Sequence, residues 1–393
     1  MPSAPRARHL AVAGAVSLGL ALTGCSSATS KSATSKDAAG GKDAAGGRTD
    51  ARTVRVILSN DGCTADPATI SAGPVTFTLK NDGGSSVSEA ELVLGTKILG
   101  EKEGLTPGLS GKFSLDLKPG RYEMYCPHAK TERSTFMVTG SGSATSGAAA
   151  LLKPATSGYR DYVLGKATEF VGLTAAFAAA VKAGDVAKAK SLYANARAPY
   201  EAIEPVAESF GDLDPGIDAR AGDVPAASWG GYHRIEQQLW MKNSATGMAP
   251  VADELLSDVK TLVAMIKTST YQPADLANGA TELLTEVGKN KLTGEEERYS
   301  RTDLSDINAN LEGSRAAFDL LVPALKTSDP TLVSTIQNRF ADVSTLMKKQ
   351  SDGKGGFRLY TRLTPAEVRA LMVAVDALAE PLSRVGEKIV SIR

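Results

Sequence analysis

The chain has little of what most metal and redox centres are made from: three cysteines, three histidines and 5% aromatic residues among 393. Four-cysteine zinc modules and cysteine-held iron–sulfur clusters need more thiolates than that and are excluded. An excess of one charge is missing too. Lys+Arg and Asp+Glu stand at 44 each with no basic cluster, so nucleic acid is not an expected partner, because a phosphate backbone demands a cationic footprint. Beyond the N-terminus no apolar run approaches the ~20 residues that span a bilayer, so a channel or permease is not expected. What is present is long enough for two or three domains, with 42% hydrophobic residues to fill their cores.

Arg6 and Arg8 precede an apolar stretch from Leu10 to Leu22 that is short for a spanning helix and fits a secretory signal. It ends Leu22-Thr23-Gly24-Cys25, which resembles a lipobox: an aliphatic residue, two small ones, then the cysteine that receives lipid. The expectation is a signal peptide over 1–24 and membrane lipid attachment through Cys25. The exported protein would then sit on the outer face of the cytoplasmic membrane, periplasmic or at the cell surface, since two acyl chains suffice for stable anchoring. Residues 25–52 are rich in Ser, Ala, Lys, Asp and Gly and repeat Lys-Asp-Ala-Ala-Gly-Gly. They cannot bury enough apolar area to fold and read as a tether. A second Gly/Ser/Ala-rich stretch, 140–157, reads as a linker, so domains at 53–139 and 158–393 are expected to fold independently.

Within 53–139, Val54, Val56 and Leu58 alternate, as do Val75, Phe77 and Leu79, and then Phe113, Leu115 and Leu117. Turn clusters such as Asn81-Asp82-Gly83-Gly84 and Pro119-Gly120 separate them. Short strands at this spacing predict a β-sandwich. Cys63 and Cys126 lie at its two ends, and in an oxidising compartment both a disulfide and a metal-thiolate role are open to them. Glu89, Glu91, Glu101 and Glu103 add oxygen donors, and His128 one imidazole. A blue-copper centre wants two histidines, which this domain lacks.

From 158 onward the apolar residues follow helical spacing: Phe170, Leu173, Phe177 and Val181; Leu276, Ala280, Leu283 and Val287; Val368, Leu371, Val375 and Leu378. This predicts an all-α bundle of seven or eight helices. Two segments in it are chemically unusual. In Tyr200-Glu201-Ala202-Ile203-Glu204-Pro205, Glu201 and Glu204 share a face of a helix that Pro205 is expected to kink. In Tyr232-His233-Arg234-Ile235-Glu236, His233 and Glu236 share a face beside the apolar one carried by Ile235 and Leu239. A plain hydrogen-bonded pair has the same spacing. What favours a metal site is that His233 is the domain's single imidazole, with acids just upstream. One imidazole and several carboxylates form a hard-donor set suited to iron, manganese or calcium. HExxH is absent, and Gln237 stands where the inverted motif needs its second histidine, so zinc peptidase chemistry is not expected. Thr293 and Glu296 have capping-box spacing, which sets Glu295 and Glu296 aside from the site.

The strings from Glu101 to Gly108 and from Leu117 to Tyr122, with Cys63 and the Glu89/Glu91 pair, resemble the cupredoxin-like domain of EfeO-type iron-uptake proteins. Glu204-Pro205-Val206-Ala207-Glu208, the run from Gly231 to Glu236 and the stretch from Asn290 to Leu304 resemble the imelysin-like, peptidase-M75-type domain of the same family. The likeness covers nearly all of 158–393. It implies a multidomain chain, a cupredoxin-like β-sandwich followed by an imelysin-like helical bundle. Its cargo would be ferric or ferrous iron, with copper or zinc as alternatives. It implies one metal site of His233, Glu236, Glu201 and Glu204 and a second of Cys63, Glu89, Glu91, Glu101, Glu103 and Cys126. The implied partners are an iron permease, to which cargo is delivered, and a haem peroxidase of the same uptake system. The expected role is capture rather than catalysis. The alternatives are a metal-dependent peptidase of the imelysin type and copper-assisted oxidation of ferrous iron in the β-domain.

Overall fold

A computed structural model describes residues 52–140 and 146–392; the signal segment, Cys25 and nearly all of the expected tether lie outside them. Nine strands come first: β1 (Arg52–Ser59), β2 (Gly62–Asp66), β3 (Thr69–Ser71), β4 (Gly73–Asn81), β5 (Ala90–Leu94), β6 (Lys97–Lys102), β7 (Ser110–Leu117), β8 (Gly120–Tyr125) and β9 (Arg133–Thr139). They form two sheets, ordered β2-β1-β4-β7 and β3-β9-β8-β5-β6. The pairs β1·β4 and β3·β9 are parallel and the others antiparallel. The alternating residues read from the sequence are the inward rows: Val54, Val56, Phe77, Leu79 and Phe113 are all buried, and Phe77 stacks on Phe113 at 4.9 Å. Cys63 and Cys126 are joined in a disulfide, with Cα atoms 6.1 Å apart. That corrects their place among the metal ligands, since a half-cystine offers no thiolate to an ion.

The helices are α1 (Ser146–Lys182), α2 (Val186–Glu201), α3 (Glu204–Glu208), α4 (Asp214–Asp218), α5 (Gly231–Lys242) and α6 (Ala249–Thr268). They continue with α7 (Pro273–Lys289), α8 (Asp303–Ser328), α9 (Pro330–Lys348), α10 (Pro365–Leu382) and α11 (Val385–Val390). Eight of them are long, as the periodicity predicts; α3, α4 and α11 are short additions. Thr364 and Glu367 bond reciprocally as a capping box at the start of α10.

Three expectations change. α1 begins at Ser146, so most of the stretch expected to be a linker is helix, with Leu152 and Ala155 already buried; the Ala-rich run there favours helix once its apolar side has something to pack on. From 150 to 182 this helix is also long and apolar enough to cross a bilayer, against the expectation that no such run follows the N-terminus; its Val163, Ala167, Phe170 and Phe177 are buried in the bundle core. Finally, the two domains share an interface. Ala274 of α7 and Val390 of α11 belong to the apolar core of the sandwich. Asn278 Nδ2 donates to the Ser114 carbonyl at 2.9 Å, and Lys102 Nζ reaches Glu282 at 2.9 Å and Thr285 at 2.9 Å. Lys289 Nζ donates to the Glu103 carbonyl at 2.7 Å.

Candidate metal centre

Two glycines set the approach of the elements that build the site. Pro205 does not kink a continuous helix: α2 ends at Glu201 and α3 restarts at Glu204, with Pro205 in its first turn where a missing N–H is harmless. α8 passes under this break, and a Cβ on Gly313 would overlap the Ala202 carbonyl. Gly231, at the start of α5, has φ +71°, and a Cβ there would strike the Ile217 carbonyl. With glycine at that point α5 lies against α4, and His233 comes beside Asp218.

His233 is 1% exposed. Its Nδ1 lies 3.3 Å from Glu236 Oε2. Its Nε2 has no hydrogen-bond partner and faces Asp218 Oδ1 at 3.6 Å and Glu296 Oε1 at 3.5 Å. Glu236 also binds backbone: its Oε1 accepts the N–H of Tyr299 at 2.9 Å and of Ser300 at 2.6 Å, which fastens the 294–302 segment onto α5. A carboxylate that fixes one ring nitrogen while the other stays free is the arrangement by which proteins orient a metal-ligating histidine. Burial and Arg197 push the imidazole down, but Asp218, Glu236 and Glu296 outweigh them and raise it to about 10.

Arg197, fully buried, contacts Asp218 and Glu201 and lies 2.7 Å from Glu297 and 3.4 Å from Glu296. Lys291, equally buried, contacts Glu201 and lies 2.9 Å from Glu204. On the outer side Arg220 meets Glu296 at 2.9 Å. The charges do not balance. Among the described residues, Glu201, Glu204, Asp218, Glu236, Glu296, Glu297, Asp303 and Asp306 stand against three buried cations: Arg197, Lys291 and, with its proton on, His233. Asp306 is 0% exposed and neither of its oxygens has a hydrogen-bond partner. Buried charge persists only when paired, so the surplus acids hold protons. Burial pushes Glu204 and Asp306 well above the usual carboxylate range, Glu297 to about 8 and Asp303 to about 7. Glu296 goes the other way: burial raises it, but Lys291 and His233 together hold it well below.

Three sets of side chains bring three ligand atoms within 4.8 Å of one another: Asp218–His233–Glu296, His233–Glu236–Glu297 and Glu201–Glu204–Asp218. All four helical-domain residues expected from the sequence are therefore here, but Glu236 is engaged in holding the ring, and Glu201 and Glu204 are engaged by Lys291. Asp218, Glu296 and Glu297 are additions. The Thr293/Glu296 spacing is no capping box: residues 291–293 form a 3-10 turn, Thr293 bonds the Asn290 carbonyl, and Glu296 is buried in the site. Three consecutive glutamates, 295–297, were the available signal, and spacing does not distinguish them from a solvated run.

Among the described residues, none of these three-ligand sets includes the β-domain. There Glu91 lies directly opposite Glu101 across β5 and β6, and Glu89 lies close to Glu103. Burial pushes all four upward, Glu91 to about 8. With Cys63 and Cys126 bonded to each other, the donor set expected in this domain is reduced to carboxylates.

The profile of the imelysin family matches residues 155–385, and that of the cupredoxin-like domain matches 16–138. The iron uptake system component EfeO of Escherichia coli O157:H7 is 38% identical over 342 residues, covering 85% of this chain and 91% of its own length. The proteins of the same name from Escherichia coli K12 and Shigella flexneri are 37% identical over the same shares.

Proposed function

The chain belongs to the imelysin family, in the two-domain form of the EfeO proteins, and from that premise we propose that it captures iron outside the cytoplasm for uptake. The observation that carries the reading is a fully buried imidazole whose free Nε2 looks onto two carboxylates, in a pocket with more acids than cations. Asp218, His233 and Glu296 are the ligands of the cargo, and Glu236 orients the ring. Glu297, proton-bearing without an ion, supplies further negative charge when one enters. Oxygen donors with a single nitrogen favour a hard ion, ferric over ferrous. Lipid on Cys25 would hold the protein at the outer face of the membrane, within reach of an iron permease that receives the cargo and of a haem peroxidase of the same system. The four β-domain glutamates offer the same cargo an oxygen-only set; the copper reading there loses its thiolates to the disulfide.

The role is non-enzymatic in this reading. A zinc peptidase must leave a coordination position open to water and substrate. Here the imidazole is 1% exposed and turned into carboxylates, which suits an ion better than a peptide. Titration with ferric ion from a weak chelator tests the proposal. Wild type should bind at the helical site, and His233→Ala should lose tenfold or more in affinity, taking the ~10–100-fold losses of outer-shell variants as a lower guide. Equal affinity in both would overturn it.

A further inference from the structure

We infer that Lys291 fills the second of two adjacent ion positions, so that the chain takes one cargo ion where its carboxylates are arranged for two. The inference rests on the reading of His233 as the cargo site. Asp218 belongs to two of the ligand sets, with His233 and Glu296 on one side and with Glu201 and Glu204 on the other. A carboxylate placed between two positions is the usual scaffold of two-ion sites. The second position holds cations instead: Arg197 bridges Asp218 to Glu201 on one side, and an ammonium group takes the other. Lys291 is 0% exposed, and its Nζ donates to Glu201 Oε2 and to both Glu204 oxygens, at 3.1 Å and 2.9 Å.

Asn310 marks the same place independently. Its Nδ2 donates to the Glu201 carbonyl at 2.8 Å, to Glu201 Oε2 at 3.3 Å and to Glu204 Oε2 at 2.9 Å, while its Oδ1, fully buried, has no partner. Half a turn of that amide exchanges donor for acceptor and presents an oxygen to the space between the carboxylates. Facing two anions, that oxygen would be repelled; facing a metal ion it would be a ligand. Lysine has three donors and no acceptor, so it neutralises the pair without ever serving as a ligand. Being tethered, it is present at every moment, where a free ion comes and goes. The consequence is a cargo site bounded on one side by a fixed charge: the ion at His233 is held from that side, while Glu201 and Glu204 remain committed to Lys291.

The test counts ions in the full chain, with terbium(III) as the probe because it is trivalent, oxygen-seeking and luminescent. Wild type and Lys291→Arg should each retain one ion in the helical site after desalting, and Lys291→Gln one more. Lys291→Gln leaves buried Glu204 without its cation and Glu201 with Arg197 alone, so its Tm should fall in the absence of ion. Terbium should raise that Tm by more than it raises wild type, since binding to the native state adds stability. The same count in wild type and Lys291→Gln, without an extra rise in Tm, overturns the inference and leaves the His233 site standing. A Lys291→Gln chain that gains no structure with terbium counts against it equally. Should His233→Ala retain the ion that wild type holds, the reading on which the inference rests is overturned instead.

Discussion

Glu236 does two jobs with two oxygens, and that makes it the residue whose removal separates ligand from support. One oxygen holds His233 Nδ1; the other accepts two backbone N–H groups of the segment that carries Glu296 and Glu297. In Glu236→Ala the ring loses its orienter and two N–H groups lose their acceptor. Iron affinity should drop by about 10–100-fold, and unfolding in denaturant should show a loss of roughly 2–3 kcal/mol from the unpaired groups. Glu296→Gln should lower affinity while leaving both Glu236 bonds in place, so its stability loss should be the smaller of the two. The histidine and its partner were legible in the sequence because residues three apart on one helix meet by geometry alone. Asp218, Glu296 and Glu297 were not, because long detours of chain and a break at Pro205 bring them in, and no local spacing records that. Lys291 was invisible for a further reason: a lysine among glutamates reads as a surface residue until its burial is known.

At the scale of elements, the strands and long helices followed from alternation and helical period. The interface between the two domains did not. Its polar anchor is Lys102 against Glu282 on α7, with side chains 11% and 9% exposed. Lys102→Met should leave Glu282 buried without its cation, at a cost of about 3 kcal/mol, read as a lower denaturation midpoint. A fragment spanning 146–392 should bind an apolar dye that the full chain does not, because α7 and α11 lose the sandwich that covers Ala274 and Val390. A fragment with native near-ultraviolet dichroism and no dye binding would contradict that. The linker expectation failed because Gly and Ser counts describe composition, whereas the Ala-Leu run after Ser146 meets a bundle it can pack on.

For the whole molecule, the surplus of buried acids predicts an unusual dependence on pH. Glu91 and Glu297 at about 8 and Asp303 at about 7 keep protons in the folded chain that the unfolded chain releases near pH ~4. His233, at about 10, keeps its own proton across the range above its ordinary value. The folded state binds more protons than the unfolded one over this window, so stability falls as pH rises. Ion-free protein should therefore melt at a higher temperature at about pH 5 than at about pH 8. Glu296, held low, limits the gain on the acid side by losing its pairing below the ordinary carboxylate range. Loading with ferric ion should flatten or reverse the slope, because the ion replaces the protons. A melting temperature that rises over the same interval without metal would show that the acids are not held in the surplus described.

The proposed function puts the cargo ion on one imidazole nitrogen and carboxylate oxygens in the helical domain, and X-ray absorption at the iron edge tests that directly. The sample is the full chain loaded with one ferric ion. The expected first shell is oxygen and nitrogen, with a single imidazole's outer-shell scattering and no sulfur, and with the imidazole signature gone in His233→Ala. A sulfur scatterer, or a spectrum unchanged by His233→Ala, would contradict it.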